Sequence, residues 1–233
     1  TGDDCISLKS GRCEEAFSQI GVNPQITCED VHISNCTFAD SNFACVGIGS
    51  ETSGGIRGVR VENCTFTHAR THAVYIKSRP GRGAFVEDIV MNNLTVSGAQ
   101  LGFLRLNNLN SGKSDEFNVP GLAGIPTFRN FTFSNVHVTG VPDLVRAVEI
   151  HPDKPLVGLT LANITGTCQK GIALANMRDV HLRNIHVTGF TGPLLSTHNV
   201  TGTGLQGAVP IPAADMPKLL EPVPTPATPY KLH

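Results

Sequence analysis

Two adjacent carboxylates, Asp3 and Asp4, are the residues of this chain whose types and spacing most directly suggest chemistry. They open the run Gly2-Asp3-Asp4-Cys5-Ile6-Ser7-Leu8-Lys9-Ser10. A pair of carboxylic acids can hydrolyse a glycosidic bond when one protonates the leaving oxygen and the other activates water. Strand alternation gives Asp3 the outward parity of Lys9 but gives Asp4 the inward parity of Ile6, so both reach one surface only if the backbone bends at Gly2. At this point a solvated turn or a metal site remains an alternative interpretation of the pair.

A nine-residue pattern that recurs six times predicts the scaffold for these acids. In every copy, two apolar residues two positions apart precede an asparagine, and a third apolar residue follows it. The asparagines are Asn35, Asn63, Asn93, Asn135, Asn163 and Asn184, at intervals of 28, 30, 42, 28 and 21 residues. Alternation places the apolar positions on one face, and asparagine tolerates the left-handed conformation of a sharp turn. Without a helical period, the repeat predicts a stacked solenoid.

A second strand in each coil lies between these copies, and its outward residues predict a groove. Its inward apolar pairs are Ile6/Leu8, Val46/Ile48, Val74/Ile76, Leu104/Leu106, Val148/Ile150 and Ile172/Leu174. The outward residues form a first column of Ser7, Gly47, Tyr75, Arg105, Glu149 and Ala173, and a second of Lys9, Gly49, Lys77, Asn107, His151 and Ala175. Because the sixth coil presents two alanines, we expect the groove to end near it. The Gly- and Pro-containing interval 107–127 predicts a long loop beside the groove.

These patterns predict an all-β chain, a right-handed parallel β-helix with long loops on the groove side. The β-helix domain spans residues 1–208, and an extended Pro-rich tail spans residues 209–233. The chain opens on Thr1 inside a motif and without Met, which we interpret as truncation. A net charge of −1 argues against a nucleic-acid or anionic-membrane partner, and no run approaches 18 apolar residues. We expect a monomer.

Cysteines and metal ligands add few constraints. Cys13 and Cys28 flank a loop and are a plausible disulfide, whereas the other cysteines of the first coils lie in apolar alternating runs and are expected to be buried thiols. No His, Cys and carboxylate cluster has metal-ligand spacing, so neither a metal nor another cofactor is expected. Six Asn-x-Thr sequences fall mostly on the repeated asparagines, which we interpret as buried packing positions.

The opening run resembles a signature of the polygalacturonase-like glycoside hydrolases, a family of pectin-cleaving right-handed parallel β-helices. The resemblance implies that Asp3 is the general acid and that Asp4 helps to hold the attacking water. It also implies a third carboxylate, from an Asn-Thr-Asp motif, upstream of this chain. The family's Gly-His-Gly motif is represented only by its tail, Gly47-Ile48-Gly49-Ser50, and Ala44 occupies the position of its histidine.

The same resemblance suggests substrate-binding residues. Tyr75-Ile76-Lys77 replaces the family's Arg-Ile-Lys and retains a cation, Lys77, that can bind a uronate carboxylate. Candidates for the missing guanidinium are Arg79, Arg82 and Arg105. His72, one coil beyond Ala44, is a candidate for the missing imidazole, although a strand-start histidine without a role is an equal alternative.

The function implied by the resemblance is a glycosidase that cleaves α-linked galacturonic acid bonds of pectin with inversion. Its partner would be a pectic polysaccharide or an oligogalacturonide, and its location secreted or periplasmic. Two alternatives remain open. One is a hydrolase of the same fold that acts on rhamnogalacturonan or another uronic or deoxy sugar, and the other is a non-catalytic polysaccharide-binding β-helix.

Overall fold

The chain folds into stacked coils of parallel β-strands in a computed structural model that describes residues 2–12, 26–114 and 118–219. The strands are β1 (Ile6–Leu8), β2 (Cys28–Ser34), β3 (Thr37–Phe38), β4 (Val46–Ile48), β5 (Ile56–Phe66), β6 (His72–Lys77), β7 (Phe85–Ser97), β8 (Gly102–Asn107), β9 (Thr127–Glu149), β10 (Leu156–Thr188), β11 (Leu195–Thr203) and β12 (Val209–Pro210). Two short 3-10 helices span Gly121–Gly124 and Ala213–Asp215. The prediction of an all-β, right-handed parallel β-helix is confirmed. Among the described residues, no helix is long and apolar enough to cross a membrane.

The coils present two principal sheet faces. The first, here called the groove sheet, joins β1, β4, β6 and β8 to parts of the long strands β9, β10, β11 and β12. The second joins β2 and β3 to β5, β7 and other parts of β9 and β10. Inward side chains stack from coil to coil, as in the buried series Val59, Ile89, Phe131 and Leu159. Each such burial stabilises the stack by about 1.5–3 kcal/mol.

The repeated asparagines form the corners that follow the second sheet. All six have left-handed backbones, with φ between 53° and 55°, as the turn interpretation predicted. Their side chains bond to one another along the stack: Asn93 donates to Asn63 over 2.8 Å, and Asn184 donates to Asn163 over 2.9 Å. The expectation that the asparagines of the Asn-x-Thr sequences are buried is wrong, because the left-handed corner turns these amides towards solvent and each other.

The groove sheet departs from the predicted register in its fifth coil. In the first four coils and in the sixth, the apolar pairs stack as expected. In the fifth coil, Val145 and not Val148 stacks between Leu104 and Ile172. The choice of Val148 as an inward residue is therefore wrong, whereas Ile150 is buried in the core as expected.

A β-bulge explains this departure and changes which side chains line the groove. Arg105 pairs with Arg146, and Asn107 pairs with Glu149, so β9 has one more residue than β8 between the two pairs. Arg146 therefore occupies the first-column place predicted for Glu149. Glu149 occupies the second-column place predicted for His151.

The loop after β8 and the segment after β11 bound the groove. Ser111, in the predicted loop, lies with its hydroxyl 3.1 Å from that of Tyr75. Beyond β12, Ile211 and Met216 pack with Val148 and Ala175 in a small apolar cluster. The alanines of the sixth coil thus contact Ile211 and Met216 of the segment that follows β11.

Most of the described thiols lie in the first coils. Cys45 and Cys64 are buried as expected, whereas Cys5 and Cys36 are only half-buried. Cys28 is a free thiol in the structure, and Cys13, its expected disulfide partner, lies outside the described residues.

Candidate active site

The Asp4 carboxylate lies on the outward face of the groove sheet, although strand parity alone would direct it inward. It crosses over Gly47, where a Cβ would lie only 2.3 Å from Asp4 Oδ2. The backbone N–H of Ala44 donates to Oδ1 over 3.1 Å, and the Ser7 hydroxyl donates to Oδ2 over 3.1 Å. Lys77 Nζ lies 3.6 Å from Oδ2. The contacts with Ala44, Ser7 and Lys77 hold the Asp4 carboxylate in one orientation.

Asp3 is exposed beside this carboxylate. Its Oδ1 accepts the backbone N–H of Asp4 over 3.0 Å, and its backbone carbonyl accepts the Ser41 hydroxyl over 2.9 Å. The bend predicted at the start of β1 is therefore present, and it leaves one acid exposed and the other enclosed. Such unequal environments are what a pair of acids with different roles requires.

Lys77 is the cation of the site. Its ammonium lies 4.0 Å from the centre of the Phe43 ring and 5.1 Å from that of Tyr75, so the two rings flank it. Burial lowers the pKa of Lys77, while the charges of Asp4 and Asp3 oppose that shift. Phe43, which no sequence pattern indicated, stacks on Tyr75 with ring centroids 5.9 Å apart.

His72 lies in the groove sheet but is enclosed. Only 2% of the residue is exposed, and its ring centroid is 5.8 Å from that of Tyr75. Neither ring nitrogen has a hydrogen-bond partner among the described residues. Burial, with smaller contributions from the positive charges of Arg105 and Arg146, lowers the pKa of His72 to about 3. The imidazole is therefore neutral under ordinary conditions.

Arg105 faces the groove one coil beyond Tyr75, as predicted. Its guanidinium carbon lies 5.1 Å from the centre of the Tyr75 ring. One guanidinium nitrogen lies 3.2 Å from Glu149 Oε1, and Arg146 approaches the same oxygen to 3.0 Å. The sequence did not indicate Arg146 as a groove residue, because strand alternation predicts no bulge in β9. The bulge turns Arg146 outward.

Arg79 and Arg82 do not join this group. Arg82 is buried, and its guanidinium donates to the carbonyl oxygens of Ser50, over 2.7 Å, and Lys113, over 3.0 Å. Arg79 donates to the carbonyl of Gly112 over 2.8 Å. The structure thus places both arginines against the loop that follows β8, where they hold its backbone in position.

Glu51 and Lys9 form a flanking ion pair beside β1. Lys9 Nζ lies 2.9 Å from Glu51 Oε2, and Arg12 Nε lies 3.3 Å from Oε1. Burial would raise the pKa of Glu51, but the hydrogen bonds and charges of Lys9 and Arg12 outweigh it and lower this pKa. Within the described ranges, no group of three or more His, Cys, Asp or Glu residues could hold a metal ion.

The arrangement therefore brings Asp3, Asp4, Lys77, Tyr75 and Arg105 to one face of the groove sheet. It combines a carboxylate pair with a desolvated cation and two aromatic rings. A surface of this composition can hydrolyse a bond in a negatively charged ligand, because one acid can protonate the leaving oxygen and the other can activate a water molecule. His72 lies beneath this surface.

Comparison with known proteins gives one informative relative. No protein-family model matches the chain. Over 168 residues, 71% of its length, the chain is 27% identical to a probable polygalacturonase from Vitis vinifera. The match covers 32% of the grapevine protein, so the chain spans about a third of the length of this relative. This similarity confirms the resemblance that the motifs indicated.

Proposed function

We propose that this chain, which is similar to a probable polygalacturonase, is a glycoside hydrolase that cleaves α-linked galacturonic acid bonds of pectin with inversion. The observation that carries the proposal is the position of Asp4. Its carboxylate crosses Gly47 to the groove face and lies 3.6 Å from the Lys77 ammonium. An acid–base group and a cation for an acidic sugar are therefore adjacent.

The roles follow from the environments of the two acids. Asp3, exposed to the groove, donates a proton to the glycosidic oxygen. Asp4, fixed by Ala44 and Ser7, holds the water that attacks the opposite face of the sugar ring. A single displacement of this kind inverts the configuration at the anomeric carbon.

Lys77 contributes binding. An ammonium that burial has deprived of water binds a uronate carboxylate more strongly than a fully hydrated one, because less water is displaced. The rings of Phe43 and Tyr75 give the sugar an apolar flank beside this charge. The substrate in this proposal is a pectic polysaccharide or oligogalacturonide, met by a secreted or periplasmic monomer.

A second candidate, a polysaccharide-binding β-helix without turnover, is favoured by one observation. Ala44 occupies the position of the family's histidine, and it donates a backbone N–H to Asp4 in place of an imidazole. The nearest imidazole, His72, is enclosed and without charge. A hydrolase of rhamnogalacturonan remains the related alternative, since Tyr75 replaces the family's arginine.

Release of reducing ends from polygalacturonate and from rhamnogalacturonan separates these functions. We expect the protein to release reducing ends from polygalacturonate, and Asp3→Asn and Asp4→Asn to abolish the release. The matched control is Asp88→Asn, an exposed aspartate on the second sheet whose left-handed backbone suits asparagine. Binding of polygalacturonate without release supports the second candidate, and absence of both binding and release refutes the proposal.

A further inference from the structure

Two arginines and one glutamate form a charged cluster at the far end of the groove sheet. Arg105 and Arg146 both contact Oε1 of Glu149, at 3.2 and 3.0 Å. The other carboxylate oxygen, Oε2, has no hydrogen-bond partner among the described residues. Two guanidinium groups thus share one oxygen, and the cluster keeps a surplus of one positive charge.

The cluster is built on buried groups but remains open to a ligand. The Glu149 side chain is 6% exposed, whereas those of Arg105 and Arg146 are 25% and 42% exposed. His72 lies close enough for both arginines to depress its protonation, so it adds no further charge. No other group in the cluster neutralises its one surplus positive charge. An anion can reach this charge at the guanidinium groups of Arg105 and Arg146, which are partly exposed.

The cluster also marks the last open coil. Arg146 pairs with Ala173 of the next coil, and Ala173 packs against the apolar cluster that contains Ile211 and Met216. A polymer that lies along the groove from Asp4 therefore meets the segment after β12 immediately beyond Arg146. Since neighbouring strands are about 4.8 Å apart, Arg146 lies two coils, or about 10 Å, beyond Lys77 along the stack.

We propose that Arg105 and Arg146 form a second anion subsite, which binds the free carboxylate of a uronic acid residue at the closed end of the groove. The inference rests on the proposed function and narrows its substrate to polymers with unesterified carboxylates on residues both at Lys77 and two coils beyond it. Paired guanidinium groups suit a planar carboxylate because each can donate two parallel hydrogen bonds. Glu149 holds the two arginines together and lowers the affinity of the subsite by its own charge.

Calorimetric titration of the Asp4→Asn protein with trigalacturonate and with its fully methyl-esterified form tests the subsite without turnover. We expect Arg146→Gln to weaken binding of trigalacturonate about tenfold, the effect of one charge-assisted hydrogen-bonding pair, and to leave the ester unaffected. Glu149→Gln should change affinity in the opposite direction and strengthen binding of trigalacturonate. An ion pair with a structural role alone would not produce this opposite sign.

The matched control is Arg129→Gln on the second sheet. Arg129 also pairs with a buried glutamate, Glu87, but it lies away from the groove. Circular dichroism and thermal unfolding check that each variant is folded. If Arg146→Gln does not fold, Arg146→Lys, which keeps the charge, takes its place.

The proposal is overturned if Arg146→Gln and Glu149→Gln each change the affinity for trigalacturonate by less than about twofold, or if the ester responds equally. It is also overturned if the parent protein does not bind trigalacturonate. These outcomes are separate from the release of reducing ends, so the hydrolase proposal and the subsite can fail independently.

Discussion

The substitution Gly47→Ala probes the position of the Asp4 carboxylate with a single methyl group. The added Cβ would lie 2.3 Å from Asp4 Oδ2 and 2.6 Å from its Cγ. Ordinary van der Waals contact begins at 3.4 Å, so the carboxylate must retreat by about 1 Å. Gly47 does not have a left-handed backbone, so alanine adds no conformational strain there.

The magnitude follows from the displacement. A catalytic group that is misplaced by about 1 Å costs about 100-fold in rate, or about 2.7 kcal/mol of activation free energy. The retreat also weakens the hydrogen bonds from Ala44 and Ser7, which we expect to lower the free energy of unfolding by about 1–2 kcal/mol. Initial rates of reducing-end release at saturating polygalacturonate measure the first effect, and scanning calorimetry measures the second.

A double-mutant cycle decides whether the effect passes through Asp4. In the Asp4→Asn background, where the carboxylate chemistry is already lost, Gly47→Ala should cause little further decrease in rate. Gly2→Ala is the control, because a Cβ at Gly2 has nothing within 4 Å. The reasoning is refuted if Gly47→Ala retains nearly full activity, or if its effect is undiminished when Asp4 is absent.

Three further predictions follow from individual side chains. Lys77→Met should raise the KM for polygalacturonate about tenfold with a smaller change in kcat, and an equal change with methyl-esterified pectin would contradict its role as a carboxylate ligand. His72 has a folded pKa of about 3, below its unfolded value of 6.5, so the stability that its neutral form contributes is complete above pH 6.5 and is lost as the pH falls towards 3. Between pH 7 and 4.5, His72→Phe should therefore lose about 2–3 kcal/mol less stability than the parent protein in urea titrations, and parallel losses would contradict this. Asn93→Ala should lower the free energy of unfolding by about 2–3 kcal/mol and Asn93→Gly by about 1 kcal/mol, because alanine both strains the left-handed turn and loses the bond to Asn63; equal losses would count against the conformational part.

The repeated asparagines show what a sequence pattern can predict. Their left-handed turns follow from the conformational preference of asparagine, so the repeated position of this residue was sufficient to predict the turns. Their exposure was predicted wrongly, because the pattern of apolar neighbours does not reveal that the corner turns these amides away from the core. The residue that opens each copy, such as Asp30 or Asp88, also has a left-handed backbone, and the same reasoning could have found it.

The candidate site was only partly accessible to such reasoning. The column that contains Tyr75 and Arg105 follows from alternation, which holds wherever strands are regular. Alternation fails at the bulge in β9, so the pairing of Arg146 with Arg105 could not be derived from parity. The role of Arg82 was missed for a different reason, since its partners are backbone carbonyls of distant segments and no side-chain motif encodes them.

The short strand Val209–Pro210 has a consequence for the behaviour of the protein in concentrated solution. An outermost strand with free N–H and C=O groups can recruit another molecule and start edge-to-edge aggregation. Pro210 has no N–H group, and neither does Pro212 just beyond it, so the edge that follows β11 offers few donors to an incoming chain. In the part of the chain that the structure describes, prolines at this edge therefore disfavour the addition of strands from neighbouring molecules.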